Sequence, residues 1–322
     1  RARKKAAHLL YKEKETAVEE AALAAQSMLV QTWISYLTAL EGEKILRVQL
    51  ETGKRMLEII ELRLSQGTGS GLDLLQQKSR LAALERQLPG VNSEKLRAAN
   101  SYSILMGQYP RGDILLQDKL PPLQPLNTLI SPHTLLVQRP DLQSGYLALQ
   151  AADYQVAAAI ADRLPRLAFQ IITSESGSSL STIGNDSVFR FAANILAPVF
   201  DWGRLKLQAQ RKQSEASELL AVLQHDMLEA VREVEDTLSR EQGFFREKQL
   251  LEAELAIAEE TVAKARLRYV NGKETFLPVL IALTELQTLQ QENIYLRRNM
   301  LTNRAHLLRA LGAKWSDHRE NE

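Results

Sequence analysis

The chain has 322 residues, of which 45% are hydrophobic, and its 40 basic and 39 acidic residues leave a net charge of +1. This near-neutral charge gives no electrostatic reason to expect nucleic acid or another strongly charged partner. The absence of cysteine excludes disulfide bonds and thiolate metal sites. Few glycines, prolines and aromatic residues, with many Ala, Leu, Gln, Glu, Lys and Arg, indicate a mainly helical protein.

The chain contains an internal repeat, because residues 63–107 and 268–312 align without a gap at a constant offset of 205 positions (272 − 67). The pentapeptide RLSQG at 63–67 corresponds to RYVNG at 268–272. A repeat of this length is a duplicated structural unit and not a solenoid of short modules. The register places Arg1 opposite Lys206, inside the first copy, so we expect the protein to have a segment before Arg1.

The first element is a predicted helix over residues 1–66, which no proline interrupts, and residues 204–271 predict its counterpart in the second copy. Both carry an apolar seam with spacings of 3 and 4, which is the heptad pattern of coiled coils. The seam consists of Leu46, Leu50, Gly53, Leu57, Ile60 and Leu64, and of Leu251, Leu255, Ala258, Val262, Ala265 and Tyr269. A helix of about 65 residues would be roughly 100 Å long, so it must pack against partners along its length.

Each long helix is predicted to end at a glycine, Gly67 or Gly272, and to return as an antiparallel coiled-coil hairpin. Ser70 is expected to cap the first returning helix, with Asp73 in its first turn. Thr275 is expected to cap the second. The two hairpins are predicted over residues 1–107 and 202–312, followed by a C-terminal tail over 313–322.

The region between the hairpins has a different composition. Residues 108–138 predict an irregular proline-rich connection, 139–164 a helix that starts near Arg139, and 165–201 a pair of β-strands. The strand-like runs, 167–177 and 188–198, are each about 11 residues long, which is enough to cross a bilayer as a tilted strand. Apolar and polar residues alternate in the second run, but a soluble hairpin that lies on a helix would show the same alternation.

Residues that carry chemistry are not grouped in this sequence. The five histidines share no metal-ligand spacing. Residues 272–275 resemble the end of a phosphate loop, but Leu267 stands where the first glycine is required and no strand precedes it. No nucleophile, base and orienting residue can be proposed together. We therefore predict neither an enzyme activity nor a cofactor or metal.

Five short stretches in the middle of the chain resemble the signature of the outer membrane efflux channels of the TolC and OprM type. They are LLVQRPDL at 135–142, ALQAA at 148–152 with AAA at 157–159 and LPRL at 164–167, and LAPVFDWGR at 196–204. The tripeptide at 139–141 alone predicts no more than a helix start. The stretches occur in the family's order with the duplication around them, and the resemblance covers residue 1 to about residue 314.

The resemblance implies a homotrimer in the bacterial outer membrane that extends into the periplasm. Each subunit would give four strands to one transmembrane β-barrel and two long helical hairpins to a periplasmic α-barrel. This chain retains one strand pair, and two strands from each of three subunits would give six, below the eight of the smallest barrels. We expect the first strand pair in the segment before Arg1.

The function that the resemblance implies is a passive exit duct of a tripartite efflux or secretion system for drugs or other small solutes. Its partners would be a periplasmic adaptor (membrane fusion) protein, an inner-membrane pump and outer membrane lipid, with no nucleic acid. The alternative is a periplasmic adaptor or a soluble coiled-coil scaffold, which would share the hairpins but requires neither the strand pair nor the Arg-Pro-Asp signature. The transported solute and the identity of the pump stay open.

The resemblance also assigns candidate site residues. Residues at the hairpin tips would contact the adaptor, namely Gln66, Gly67, Thr68, Asn271, Gly272 and Lys273. Asp73 is the candidate gate residue, because Pro278 and Ile281 replace the family's acidic residues at the start of the second returning helix. Alternation of side chains along a strand predicts Phe189, Phe191 and Ile195 on the lipid side. It predicts Arg190 and Asn194 on the lumen side, since an arginine facing lipid near the bilayer midplane costs roughly 2–4 kcal/mol.

Overall fold

The computed structural model describes residues 1–110, 112, 119–123, 135, 137–175, 187–198 and 200–313, with the backbone alone for 173–175 and 187–189. The elements in this part are α1 (Ala2–Ser65), α2 (Gly71–Leu105), α3 (Pro140–Ala161), β1 (Arg166–Glu175), β2 (Ser187–Leu196), α4 (Arg204–Val270) and α5 (Leu277–Ala310). The predicted connection over 108–138 and the tail over 313–322 lie mostly outside the described residues. The division into six segments therefore stays a prediction.

The chain divides into two compact units, and both copies of the repeat contribute to each unit. Unit 1 contains residues 1–20 and 139–229, and unit 2 contains residues 21–138 and 230–322. The predicted strand pair lies in unit 1. The two predicted tips lie in unit 2.

The ends of the helices repeat at the offset of the sequence. Helices α1 and α4 end at Ser65 and Val270, and helices α2 and α5 end at Leu105 and Ala310, so each pair is separated by the same 205 positions (270 − 65 and 310 − 105). Four glycines follow these ends with positive φ angles, at Gly67 (71°), Gly107 (68°), Gly272 (70°) and Gly312 (65°). The predicted bounds of the two long helices, 1–66 and 204–271, are confirmed.

The same hydrogen-bond pattern closes all four helix ends. After α1, the Gly67 N–H donates to the Leu64 carbonyl (3.0 Å) and the Thr68 N–H donates to the Arg63 carbonyl (2.9 Å). This is the Schellman motif, which requires a left-handed residue after the helix and so favours glycine. Corresponding pairs of bonds close α2, α4 and α5.

The apolar seam is buried at most of its predicted positions. Leu46, Leu50 and Ile60 are buried in α1, and Leu251, Ala258 and Tyr269 are buried in α4. The prediction for Leu64 is wrong, because its side chain is 36% exposed. Tyr269 and Phe276 of the second copy fill the core beside Met56 and Ile60 at this end of α1.

Gly53 lies on the buried seam at a close approach between α1 and α2. A Cβ atom at this position would lie 2.7 Å from Leu81 Cδ2 and 3.4 Å from Gln77 Nε2. Gln77 is fully buried. Its Nε2 donates to the Gly53 carbonyl (2.7 Å).

The substitution Gly53→Leu should therefore lower the free energy of unfolding by about 1–3 kcal/mol, the usual cost of overpacking a core. The matched control is Gly42→Leu in the same helix, where no atom lies within 4 Å of the added Cβ. The control should be neutral or slightly stabilising, since leucine is the better helix former. Urea denaturation of the two purified variants checks this difference, and equal midpoints would contradict it.

The caps of the returning helices differ between the two copies. Ser70 is the N-cap of α2, as predicted, and its hydroxyl accepts from the Leu72 N–H (3.2 Å). The prediction for Thr275 is wrong, because the N-cap of α5 is Phe276 and makes no side-chain hydrogen bond. The Phe276 ring is fully buried. Packing of this ring places the N-cap of α5 one residue after Thr275, whose hydroxyl is the better capping group.

A partly buried polar cluster fixes Leu120, in the described part of the connection, within unit 2. Glu41 accepts from the Leu120 N–H (2.7 Å) and from Arg297 (2.8 Å), and Arg297 also donates to the Leu120 carbonyl (2.9 Å). The Leu120 side chain is 3% exposed and packs in a core cluster with Ile34 and Leu37. The connection is therefore held at Leu120 by both backbone and side-chain contacts.

Helix α3 begins at the predicted signature, where Pro140 and Asp141 lie in its first turn. Arg139 is the N-cap, Pro140 occupies the start, and Arg139 forms a two-pronged ion pair with Asp141 (3.1 and 2.7 Å). Burial raises the pKa of Asp141, but the Arg139 hydrogen bonds and charge and the Leu142 N–H outweigh it and hold the pKa below its ordinary value. The buried face of α3 is rich in alanine, with Ala151, Ala152, Ala158 and Ala159.

Candidate functional site

The strand pair in unit 1 forms one antiparallel hairpin in which Phe169 lies opposite Ala193 and Gln170 lies opposite Ala192. Opposite residues share a face and successive residues alternate between faces. One face, here called the apolar strand face, carries Leu167, Phe169, Ile171, Phe191, Ala193 and Ile195. The other, the mixed strand face, carries Ala168, Gln170, Ile172, Arg190, Ala192 and Asn194.

The apolar strand face is largely exposed. Ile171 is 72% exposed, Ile195 is 71% exposed, and the rings of Phe169 and Phe191 stack at a centroid distance of 6.1 Å. A contiguous apolar row of this kind is unusual on a surface that meets water and marks an interaction with a membrane or a partner. The side chain of Phe189 lies outside the described residues, so its predicted orientation stays a prediction.

Helices give a separate observation. Within the described ranges, no helix combines the length and apolarity that a bilayer span requires.

The two predicted tips are adjacent in unit 2. A Cβ atom at Gly272 would lie 3.9 Å from the Arg63 guanidinium. The six predicted contact residues, at 66–68 and 271–273, are all exposed. The structure thus brings the tip of the first copy beside the tip of the second.

Arg63, Tyr269 and Asp73 link the two tips, and we call these three residues the tip link. The Tyr269 hydroxyl donates to Asp73 Oδ2 (3.1 Å). Arg63 donates to the Tyr269 carbonyl, and its guanidinium carbon lies 4.4 Å from the Tyr269 ring centroid. The candidate gate residue Asp73 of α2 is therefore joined directly to the end of α4.

A family model for outer membrane efflux proteins matches residues 131–313, which is more than half of the chain. The chain belongs to this family. As a member of this family, the protein belongs to the bacterial outer membrane. The match includes the strand hairpin and the second copy of the repeat.

Named relatives of this outer membrane efflux protein include two export proteins. The pyoverdine export outer membrane protein OpmQ of Pseudomonas putida is 28% identical over 291 residues, which are 89% of this chain and 61% of the relative. The cation efflux system protein CusC of Escherichia coli O6:H1 is 26% identical over 308 residues, 93% of this chain and 66% of the relative. The chain thus spans less than two thirds of the length of these relatives.

Solved structures confirm the fold of this outer membrane efflux protein. The outer-membrane channel OprN superimposes with a TM-score of 0.90 at 23% identity, over 98% of this chain and 72% of OprN. The CmeC outer membrane channel of Campylobacter jejuni gives a TM-score of 0.83 at 21% identity, over 97% of this chain and 67% of CmeC. The predicted fold class, mainly α with long duplicated helical hairpins and a small β part, is confirmed.

The sequence predicted Asp73 but missed its partner. Burial, together with the Asp73 charge, raises the pKa of Tyr269 to about 12, so the hydroxyl stays protonated and remains a donor at neutral pH. The repeat contained a signal for this residue, because Tyr269 stands at the seam position where the first copy has Leu64. A side chain with a hydroxyl group in one copy, at a position that is purely apolar in the other, indicates a contact that the other copy lacks.

A second missed residue, Arg80, joins α2 to α5. It donates to the Leu280 carbonyl (3.2 Å) and to the Thr284 hydroxyl (2.9 Å). Burial lowers the pKa of its guanidinium, and its second terminal nitrogen is buried with no hydrogen-bond partner among the described residues. Arg80 therefore holds the two returning helices together two turns beyond the tip link.

Proposed function

We propose that this chain is part of the exit duct of a tripartite efflux or secretion system, without a catalytic role. The observation that carries the proposal is the strand hairpin with six apolar residues side by side on one exposed face, in a chain of the outer membrane efflux family. The apolar strand face would meet lipid and the mixed strand face would meet the water-filled lumen. Neither a periplasmic adaptor nor a soluble coiled-coil scaffold requires such a hairpin.

The duct would be a homotrimer that a periplasmic adaptor joins to an inner-membrane pump. The named relatives are export and efflux proteins, which supports this assignment. The exposed turns at 66–68 and 271–273 are the proposed contacts with the adaptor. Energy for transport would come from the pump, and the duct would supply a path and a tip that can close.

The proposed orientation of the strands predicts an alternating pattern of chemical labelling. The chain has no cysteine, so a single cysteine at each position from 190 to 195 would be its only thiol. In whole membranes, a membrane-impermeant thiol reagent should label positions 190, 192 and 194. A lipid-soluble reagent should label positions 191, 193 and 195, because successive side chains point to opposite faces.

Two control positions calibrate the labelling. A cysteine in place of the exposed tip residue Thr68 should react with the aqueous reagent, and one in place of the fully buried Ala99 should react with neither. Aqueous labelling at all six strand positions would contradict a membrane-crossing hairpin and favour the soluble alternative.

The tip link is proposed to hold the duct closed in the resting state. Tyr269→Phe keeps the buried ring and removes only the hydroxyl that donates to Asp73. A hydrogen bond to a charged group contributes about 1.5–3 kcal/mol, so its loss should favour the open state about tenfold or more. We expect a higher resting ion conductance of the variant in planar lipid bilayers.

Tyr295→Phe is the control for this substitution, because Tyr295 lies in the middle of α5 and its ring is 52% exposed. It should leave the resting conductance unchanged. A Tyr269→Phe protein that conducts no more than this control would show that the bond to Asp73 does not hold the tip closed.

A further inference from the structure

An open groove of about 810 Å³ lies in unit 2 between α1, α2 and α5. Small residues of α1 line it, among them Ser35, Ala39 and Gly42. Gly90 of α2 lines it as well, and a Cβ atom added at Gly42 or Gly90 would have no other atom within 4 Å. The groove is therefore open where both helices carry glycine.

The charged residues of this groove are mostly basic. Three arginines line it, Arg86 and Arg97 of α2 and Arg298 of α5, and all three are exposed. Within the described part of the chain, their guanidinium groups form no ion pair or hydrogen bond. Glu94 is the one acidic residue among the described residues that line the groove, so their formal charges sum to +2 (3 − 1). A cleft with charges of one sign concentrates the electrostatic potential and attracts ions of the opposite sign.

A buried amide beside the groove lacks one hydrogen bond. Gln49 of α1 lines the groove and is 7% exposed. Its Nε2 donates to Gln290 Oε1 (2.8 Å), and its Oε1 has no hydrogen-bond partner among the described residues. Most buried polar side-chain atoms are hydrogen-bonded, so an unpaired amide oxygen beside an open groove points to a contact with a ligand. A hydroxyl or amide group of the ligand can donate to it.

We propose that this groove, here called the arginine groove, binds an elongated organic anion that joins an apolar body to carboxylate, phosphate or sulfonate groups. Guanidinium groups stay charged and pair with such oxyanions through two parallel hydrogen bonds. Arg86 and Arg97 are 11 positions apart on α2 (97 − 86), roughly 16 Å along the helix, so the acidic groups are spread along the ligand. The half-buried side chains of Ile45 and Val91 line the same groove and contact the apolar body.

The size of the arginine groove favours a small molecule over a helix of a partner protein. The residues of α1 that line it run from Thr32 to Gln49, about 25 Å of helix. A helix of that length and about 10 Å in diameter would occupy roughly 2,000 Å³, more than twice the volume of the groove. Small-molecule sites measure about 300–1,000 Å³. The inference goes beyond the exit duct, because binding here requires only the helices of unit 2.

Binding of pyranine, a fluorescent and water-soluble aromatic trisulfonate, tests the arginine groove. The protein is purified from outer membranes in the nonionic detergent dodecyl maltoside and titrated with the dye at low ionic strength, where exposed charges are least screened. Fluorescence anisotropy measures the dissociation constant. Combined replacement of the three groove arginines should raise this constant at least tenfold, because each replacement removes a charged hydrogen-bond donor. The variant carries Arg86→Gln, Arg97→Gln and Arg298→Gln.

A second triple variant controls for the loss of positive charge. It carries the same substitutions at exposed arginines of α4 that do not line the groove, namely Arg240→Gln, Arg246→Gln and Arg266→Gln. This control should bind pyranine within twofold of the unsubstituted protein. Circular dichroism and size-exclusion chromatography check that each variant keeps its helices and its oligomeric state.

Gly42→Leu tests the shape of the site without a change of charge. The substitution puts a side chain into the groove at a position with no atom within 4 Å of the added Cβ. It should raise the dissociation constant for pyranine at least fivefold, because the leucine occupies space that the aromatic body requires.

Four outcomes would overturn the inference. Absence of pyranine binding to the unsubstituted protein would remove the site. Equal affinities of the two triple variants would show that the dye is attracted to positive charge anywhere on the helices. An unchanged affinity of the Gly42→Leu protein would place the dye outside the groove. Displacement of pyranine by hexaglutamate at lower concentrations than by naphthalene disulfonate would identify an acidic peptide as the ligand. The strand labelling is independent of all four, so the exit duct would stand.

Discussion

Valine at both Gly67 and Gly272 should abolish efflux while the long helices and the oligomer remain intact. Each glycine closes a long helix with a φ angle near +70° (71° and 70°), and a left-handed residue with a Cβ costs about 1–2 kcal/mol. Gly67 has no atom within 4 Å of an added Cβ, so the cost falls on the turn and not on the core. A rebuilt turn would no longer present the proposed adaptor contact.

The test is drug susceptibility of a strain that carries the variant as its only copy, with the protein level and oligomeric state measured in parallel. Gly107→Val is the matched control, because Gly107 has the same left-handed backbone (φ 68°) and the same open surroundings at the other end of the first hairpin. The control should retain efflux. Wild-type resistance in the tip variant, at a normal protein level, would show that the tips do not form the adaptor contact.

The parts of the fold that the sequence predicted correctly depend on local signals. Gly67 and Gly272 each follow the last apolar position of a seam, so the ends of both long helices are predicted to within two residues. The strand hairpin was also predicted, because strand alternation and flanking prolines are local features. Duplication strengthened these predictions, since each helix end could be identified twice.

The parts that the sequence did not predict depend on contacts between distant residues. Tyr269 and Asp73 are 196 positions apart, and no periodicity connects them. The errors at Leu64 and Thr275 have the same origin, because the Tyr269 and Phe276 rings occupy the core that an exact repeat would have given to equivalent residues. The two copies share a backbone pattern, and their side chains have diverged where the two tips meet.

The most buried ion pair described in unit 2 lies at positions where the second copy differs from the first, which has Tyr36 and Ala99 there. Arg304 donates to both carboxylate oxygens of Glu241, with Nε–Oε2 and Nη2–Oε1 distances of 2.9 and 2.7 Å. The two side chains are 14% and 8% exposed. Next to the pair, Asn303 Nδ2 donates to the Thr237 carbonyl (2.8 Å), so this level of the second hairpin is held by polar contacts in place of an apolar layer.

The substitution Glu241→Ala should lower the free energy of unfolding by about 3–5 kcal/mol, because it removes the carboxylate that accepts both hydrogen bonds from the largely buried Arg304 guanidinium. Replacing both residues with methionine should restore most of this loss, since a buried pair is often no more stabilising than apolar residues of similar volume. Urea denaturation in detergent, followed by circular dichroism, measures both effects. The two results together would assign the loss to the broken ion pair and not to lost packing.

Asp236→Ala is the matched control in the same helix. Its partner Arg232 is 61% exposed and Asp236 is 44% exposed, and an exposed pair of this kind contributes about 0–1 kcal/mol. A Glu241→Ala protein as stable as this control would show that the pair between Glu241 and Arg304 contributes no more to stability than an exposed pair. In that case the apolar seam, and not this ion pair, would hold the second hairpin together at this level.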